Sequence, residues 1–410
     1  MAGDTSAAAA AELKRGWPII LAALIGTGCG ISAVPMFTVG VFTNPLGEAF
    51  GWSRAQVQGV ISFFVLGALF GSPLVGWLMD RHGVRPVTLA STAGMALLFV
   101  ALGTFTQSLA AFYSLALVIG VIGAGTTSVT WSRAIMAWFE ARRGFALGLA
   151  LTGSGIAGAI LPLYATWLEA AFGWRIAYTG LAVLPGLLAL PAAAFLLRMP
   201  TTTASAAEAP PVAGVNTRAA LADRRFWLIG LGLFLAGLGT SGIVAHLIPL
   251  LTDRGFAPSD AAQVASALGL AILTGRVVTG YLMDRLWAPG LAAGVLLVPA
   301  VSCLVLAGET TSVALLTAAA VVVGFAGGAE FDLLAYLCSR YFGLKHYGAI
   351  YGSLYALFVT ASGMAPPLFG WVFDTQGAYD QILYISAGGF IAGASMLLVL
   401  GPYPRTFAKP

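Results

Sequence analysis

Charge is scarce in this 410-residue chain, since Asp, Glu, Lys and Arg make up 9% of it, whereas a soluble domain carries about 25%. With 59% of residues hydrophobic, too little polar surface remains to wrap a core of this size in water. A mean hydropathy of +0.90 points instead to solvation by lipid. Soluble globular folds are excluded. Cysteine is nearly absent: Cys29, Cys303 and Cys338 each sit inside an apolar run, with no CxxC pair and no histidine spacing for zinc. Neither a disulfide framework nor a metal site is expected. There is no Gly-x-Ser-x-Gly elbow, HExxH helix, Walker loop or Cys/His pair, so hydrolysis and ATP-driven pumping have no chemical seat. The protein is expected not to be an enzyme, to carry no cofactor, and to draw any energy it uses from a gradient. Net charge is +4, but the basic residues lie in short loops between apolar runs. They read as an orientation signal and not as a nucleic-acid surface.

A membrane-spanning helix needs about 20 mostly apolar residues. Twelve segments meet this, at 17–43, 55–79, 86–107, 109–138, 144–168, 175–197, 226–251, 261–283, 288–307, 312–340, 346–373 and 380–401. The expected fold is an all-α polytopic membrane protein of two pseudo-symmetric six-helix bundles, functional as a monomer in the lipid bilayer. Residues 1–16 read as an N-terminal tail without a cleavage site, 17–198 as the first bundle, 224–402 as the second, and 403–410 as a C-terminal tail. Residues 199–223, rich in Ala, Thr and Pro, read as a linker. With the N-terminus inside, fifteen of the 20 Lys and Arg fall on the cytoplasmic side, three outside, and Arg133 and Arg276 within spans. That bias predicts both termini cytoplasmic, and a bacterial inner membrane is the expected host.

The same residues recur at an offset of 204. Gly76, Asp80 and Arg81 return as Gly280, Asp284 and Arg285, while Gly144, Gly148, Pro162 and Gly173 return as Gly348, Gly352, Pro366 and Gly377. The halves are therefore expected to share one fold, as in transporters built from parallel repeats.

The stretch GWLMDRHGVRP at Gly76 to Pro86, with its weaker copy GYLMDR at Gly280 to Arg285, resembles the signature of the major facilitator superfamily. Within it, FGWSRAQV (Phe50 to Val57), MAWFEARRGFALG (Met136 to Gly148) and GRVVTGYLMDR (Gly275 to Arg285) are similar to the monocarboxylate porters, including bacterial lactate and pyruvate carriers. That likeness implies that Arg276, four residues before Gly280, binds the substrate carboxylate. It also supports a substrate contact for His246. Two positions depart from animal porters: Met36 stands where a lysine follows the first-helix proline, and Ile272 stands where an aspartate precedes the arginine. Related oxalate/formate exchangers carry an eleventh-helix lysine where Phe358 stands, and its absence argues for a monoanion.

A charge at mid-bilayer costs about 2.5–3.5 kcal/mol on insertion scales, so each one needs a reason. Arg276 lies eight residues before Asp284, about 12 Å inside, and a guanidinium meets a carboxylate with two parallel hydrogen bonds. The other reading of Arg276 is an ion pair with Glu330 or Asp332. Those two acids also lie at mid-depth, but they diverge by about 200° around a helix and cannot both face a central cavity. One is expected to titrate or pair with Arg276, making both candidates for proton coupling, and the other to pack against a neighbouring helix. Phe331 and Tyr355 are expected in the substrate pocket. Arg133 is within snorkelling reach of the interface and reads as structural. Asp80, Arg81, Arg85 and Arg143 are expected to latch the cytoplasmic ends of the halves.

The function expected is secondary active transport of small organic monocarboxylates of the lactate or pyruvate kind, with a proton as co-substrate, by alternating access. An organic anion exchanger or an aromatic-acid carrier is the alternative, and a non-transporting membrane sensor is a distant third.

Overall fold

A computed structural model describes residues 2–199 and 213–404. The described chain is helical apart from one isolated bridge, Gly214 to Gly343. The first half contains α1 (Ala2–Gly28), α2 (Val34–Thr38), α3 (Thr43–Phe50), α4 (Arg54–Gln58), α5 (Val60–His82), α6 (Val84–Phe105), α7 (Leu109–Gly123), α8 (Ser128–Trp138), α9 (Arg143–Leu151), α10 (Gly153–Leu181) and α11 (Leu190–Leu196). After α12 (Thr217–Ala222), the second half contains α13 (Arg224–Asp253), α14 (Pro258–Met283), α15 (Ala288–Ala307), α16 (Val313–Phe342), α17 (Tyr347–Gln376) and α18 (Asp380–Leu398).

Among the described residues, ten stretches are long and apolar enough to cross a membrane. The difference from the twelve expected has two causes. The first crossing is broken where Gly28, Gly30 and Pro35 interrupt it, giving α1, α2 and a 3-10 turn at Val39–Phe42. The fifth and sixth run together as one stretch at 143–181, interrupted at Gly173, whose φ of 77° and ψ of 166° end one helix and start the next. Large apolar side chains such as Phe70, Leu163, Phe195 and Trp371 are exposed. A bilayer covers such surface at no cost.

Two of the expected connecting segments carry helix. The tail expected at 1–16 is helical from Ala2, as part of α1, and its Glu12 accepts backbone N–H groups of Glu140, Ala141 and Arg142 just before α9. Of the expected linker, 200–212 lies outside the described residues, whereas α12 is an ordered helix capped by Asn216. Residues 405–410 of the expected C-terminal tail also lie outside the described residues.

The halves meet along a seam of glycines, and the seam obeys the 204-residue repeat. A Cβ on Gly76 would lie 2.0 Å from the Gly348 carbonyl oxygen, and one on Gly144 2.2 Å from that of Gly280. A Cβ on Gly148 would lie 2.4 Å from the Arg276 carbonyl oxygen, and one on Gly352 2.5 Å from that of Ser72. Only glycine allows backbones this close. Each contact is the repeat image of another, because Ser72 is to the first half what Arg276 is to the second.

Candidate functional site

α14 and α16 run side by side in a fixed register. A Cβ on Gly324 would lie 2.3 Å from the Leu268 carbonyl oxygen, and one on Gly328 2.1 Å from that of Ile272. One turn further along both helices, the same register brings Asp332 to Arg276. Their closest atoms, Arg276 Nη1 and Asp332 Oδ1, are 3.5 Å apart, and both side chains are buried. The pair is close in charge but poor in hydrogen bonds. Arg276 Nε and Nη1, both Asp332 carboxylate oxygens and Thr279 Oγ1 are buried without a hydrogen-bond partner. A buried ion pair needs such bonds to offset its desolvation, so this arginine retains unused donor capacity.

Above the pair is a small cavity of about 40 Å³. The second half contributes Arg276, Phe331 and Tyr355, with the Phe331 ring 5.7 Å from the guanidinium carbon and 5.7 Å from the Tyr355 ring. The first half contributes Thr27, Ser32, Thr126, Ser128, Leu151 and Ser154, hydroxyl-rich but uncharged. Ser32 is the exposed member of that lining. The cavity has room for roughly three water molecules.

The two acids of α16 diverge as their spacing requires. Glu330 turns to α13, where Thr240 Oγ1 donates to its Oε1 at 2.7 Å, and it does not reach the cavity. Replacing Thr240 by Val should leave that buried carboxyl without its donor, a loss of about 1–3 kcal/mol. Thermal unfolding in detergent should read this as a fall of several degrees.

His246, expected at the substrate, is placed by its partners within the second half. Its Nδ1 is 3.1 Å from the Tyr379 hydroxyl and its Nε2 2.9 Å from the Pro366 carbonyl oxygen, so both ring nitrogens are used inside the second half. It does not line the Arg276 cavity.

At the other end of the seam, carboxylates close the halves. Asp80 on α5 accepts the N–H groups of Gly348 (3.0 Å) and Ala349 (2.9 Å), in the first turn of α17. Its repeat image, Asp284 after α14, accepts those of Gly144 (2.7 Å) and Phe145 (3.0 Å), in the first turn of α9. A carboxylate there meets both unsatisfied donors and the positive end of the helix dipole. Burial raises the Asp284 carboxyl above its ordinary value, against the pull of those two donors. Closure around it is therefore favoured as pH falls.

Of the residues expected to latch this end, Asp80 makes the hydrogen bonds seen across the seam among the described residues. Arg81 lies over Trp77 of its own helix, Arg85 donates to the Ala194 carbonyl, and Arg143 donates to that of Phe139, all within the first half. The residue that does cross is Arg133, read from the sequence as structural. Its guanidinium lies 3.5 Å from Asp80 Oδ1 and donates to the Leu344 carbonyl of the second half. Its position seven residues before Glu140 signalled an interface residue, but nothing local signalled a partner 211 residues away.

Two pseudo-symmetric helical bundles, closed on one another at one end around a mid-depth charged cavity, define a membrane carrier. The comparisons with known proteins agree: residues 19–355 match the model of the Major Facilitator Superfamily, and the chain belongs to that family. It is 30% identical over 412 residues to monocarboxylate transporter 13 of Bos taurus, covering 96% of this chain and 91% of that one. It is 27% identical to human monocarboxylate transporter 11, covering 94% and 83%. Among solved structures, the fucose:proton symporter of Escherichia coli superposes with a TM-score of 0.71 at 17% identity, over 94% of this chain and 99% of that one. The protein is thus an integral multi-pass membrane transporter and not an enzyme.

Proposed function

We propose that the protein is a secondary active carrier of small organic monocarboxylates of the lactate or pyruvate kind, coupled to protons and working by alternating access. The observation that carries this reading is Arg276: one buried guanidinium with unbonded nitrogens at a cavity of about 40 Å³. One fixed positive charge suits one carboxylate, and the small volume suits a short acid better than an aromatic one. Relatives named monocarboxylate transporters support the same substrate class.

Coupling follows from competition for Arg276. A substrate carboxylate that takes the guanidinium fork deprives Asp332 of its one charge partner among the described residues. A buried carboxylate without a partner is stabilised by taking up a proton. Substrate and proton then bind together, the site is neutral, and the halves can exchange one closed end for the other. The orientation belongs to the same proposal: with both termini cytoplasmic, the Asp80 and Asp284 end faces the cytoplasm, and a bacterial inner membrane is the host.

Purified protein in liposomes should take up lactate or pyruvate when the outside is acidic, and should raise the external pH as it does so. No uptake or exchange of any short carboxylate would overturn the proposal. Asp332→Asn should uncouple the two ions. Exchange against preloaded substrate should persist, while acid-driven net uptake falls to the level of liposomes without protein.

A further inference from the structure

Three tyrosines spaced four apart, Tyr347, Tyr351 and Tyr355, form a ladder along one face of α17. All are buried, and successive rings lie 5.4 and 6.2 Å apart. Each reaches across the seam to a polar residue of the first half. The Tyr355 hydroxyl is 3.2 Å from Ser32 Oγ, and the Tyr351 hydroxyl is 3.1 Å from Ser128 Oγ. The Tyr347 ring lies 5.8 Å from the Arg133 guanidinium carbon. The ladder therefore runs from the Arg276 cavity, which Tyr355 and Ser128 line, to the closed end at Asp80.

The opposite flank of the seam has different chemistry. The repeat images of the three tyrosines are Arg143, Leu147 and Leu151, and both leucines are buried. Beside the cavity, where one flank has Tyr351 and Tyr355 in hydroxyl pairs, the other has Leu147 and Leu151. When the end opens, water can replace the partners of a tyrosine and a serine but cannot stabilise exposed leucine. On the hydroxyl flank a broken bond is exchanged for one to water.

We propose that the Tyr351–Ser128 pair, between the cavity and the Asp80 end, is the inner gate: the directional contact that holds the cavity shut toward the Asp80 and Asp284 end, and that parts to release substrate there. The pair is a gate for the carrier proposed above, and it rests on that reading for what passes through it. Tyr351 acts on the seam and not on the substrate.

Cys338 supplies a native reporter. It is fully buried on α16 beside Asp80, Arg133 and Tyr347, so a maleimide reaches it only when this end opens. In a background with Cys29 and Cys303 replaced by Ala, Tyr351→Phe should raise the rate of Cys338 labelling in proteoliposomes. The rise should be about twofold to tenfold, the population shift that one net hydrogen bond supports. Ser128→Ala should do the same, and the double variant should do no more than the larger single, since both remove one bond. Tyr341→Phe, which removes a hydroxyl bonded to the Gly401 carbonyl inside the second half, should leave labelling unchanged. Unchanged labelling in Tyr351→Phe and Ser128→Ala, additive effects, or an equal rise in Tyr341→Phe would overturn the gate. The assay needs no substrate, so its failure leaves the carboxylate reading to be judged by uptake alone.

Discussion

Arg276→Gln should abolish carboxylate uptake and also weaken the fold, and the two effects should separate in a second variant. Two charge-assisted hydrogen bonds to a carboxylate are worth about 1.5–3 kcal/mol each, so uptake at low substrate should fall by at least about a hundredfold. The loss of stability has another source. Asp332 has no hydrogen-bond partner and is buried beside Arg276, and removing one member of a buried ion pair costs about 3–5 kcal/mol by leaving the other uncompensated. Arg276→Gln combined with Asp332→Asn leaves neither member of the pair charged and should recover most of the melting temperature. Uptake should not return. Recovery of uptake in the double variant would mean that the pair is structural and that substrate binds elsewhere. Arg276→Lys is the intermediate case: charge is kept but the planar fork is lost, so binding should weaken and stability should change little.

Gly328→Val should damage the fold more than any other single apolar change on α16. A Cβ there would lie 2.1 Å from the Ile272 carbonyl oxygen, which cannot yield without the helices parting. Overpacking of this kind costs about 3 kcal/mol. The same separation acts one turn along, where it would pull Asp332 from Arg276, so substrate-dependent stabilisation should vanish even in the fraction that stays folded. Gly294→Ala is the control, because nothing lies within 4 Å of a Cβ at that position, and its melting temperature should stay within a degree or two of wild type. Equal losses in both variants would show that the α14–α16 register does not hold the site together.

What could be read from the sequence divides along a physical line. Hydropathy and the 204-residue offset are properties of long windows, and they disclosed the two-bundle fold. The depth of Arg276 follows from counting along one helix to Asp284, and the divergence of Glu330 and Asp332 follows from helical geometry. Which acid faces the arginine does not follow from either, because it depends on the register between α14 and α16, set by Gly324 and Gly328 against backbone carbonyls. The surroundings of His246 were hidden for the same reason: its partners, Tyr379 and the Pro366 carbonyl, are more than 100 residues away in sequence. For Arg81, Arg85 and Arg143, charge alone did not say that their hydrogen-bond or ring partners would be Trp77, the Ala194 carbonyl and the Phe139 carbonyl. The tyrosine spacing of α17 was visible as a pattern, yet its serine partners on the other half were not.

The exchange of contacts across the seam has one more consequence. Gly148 meets Arg276 while Gly352 meets Ser72, and Asp80 caps α17 while Asp284 caps α9. This is how two copies of one subunit dock about a two-fold axis, where a contact made in one direction is made again in the other. The protein is in effect a homodimer written into a single chain. Duplication lets each copy change its share of the central chamber independently, and here one copy has taken the charges, Arg276 and Asp332, while the other has kept serines at the matching positions, Ser72 and Ser128.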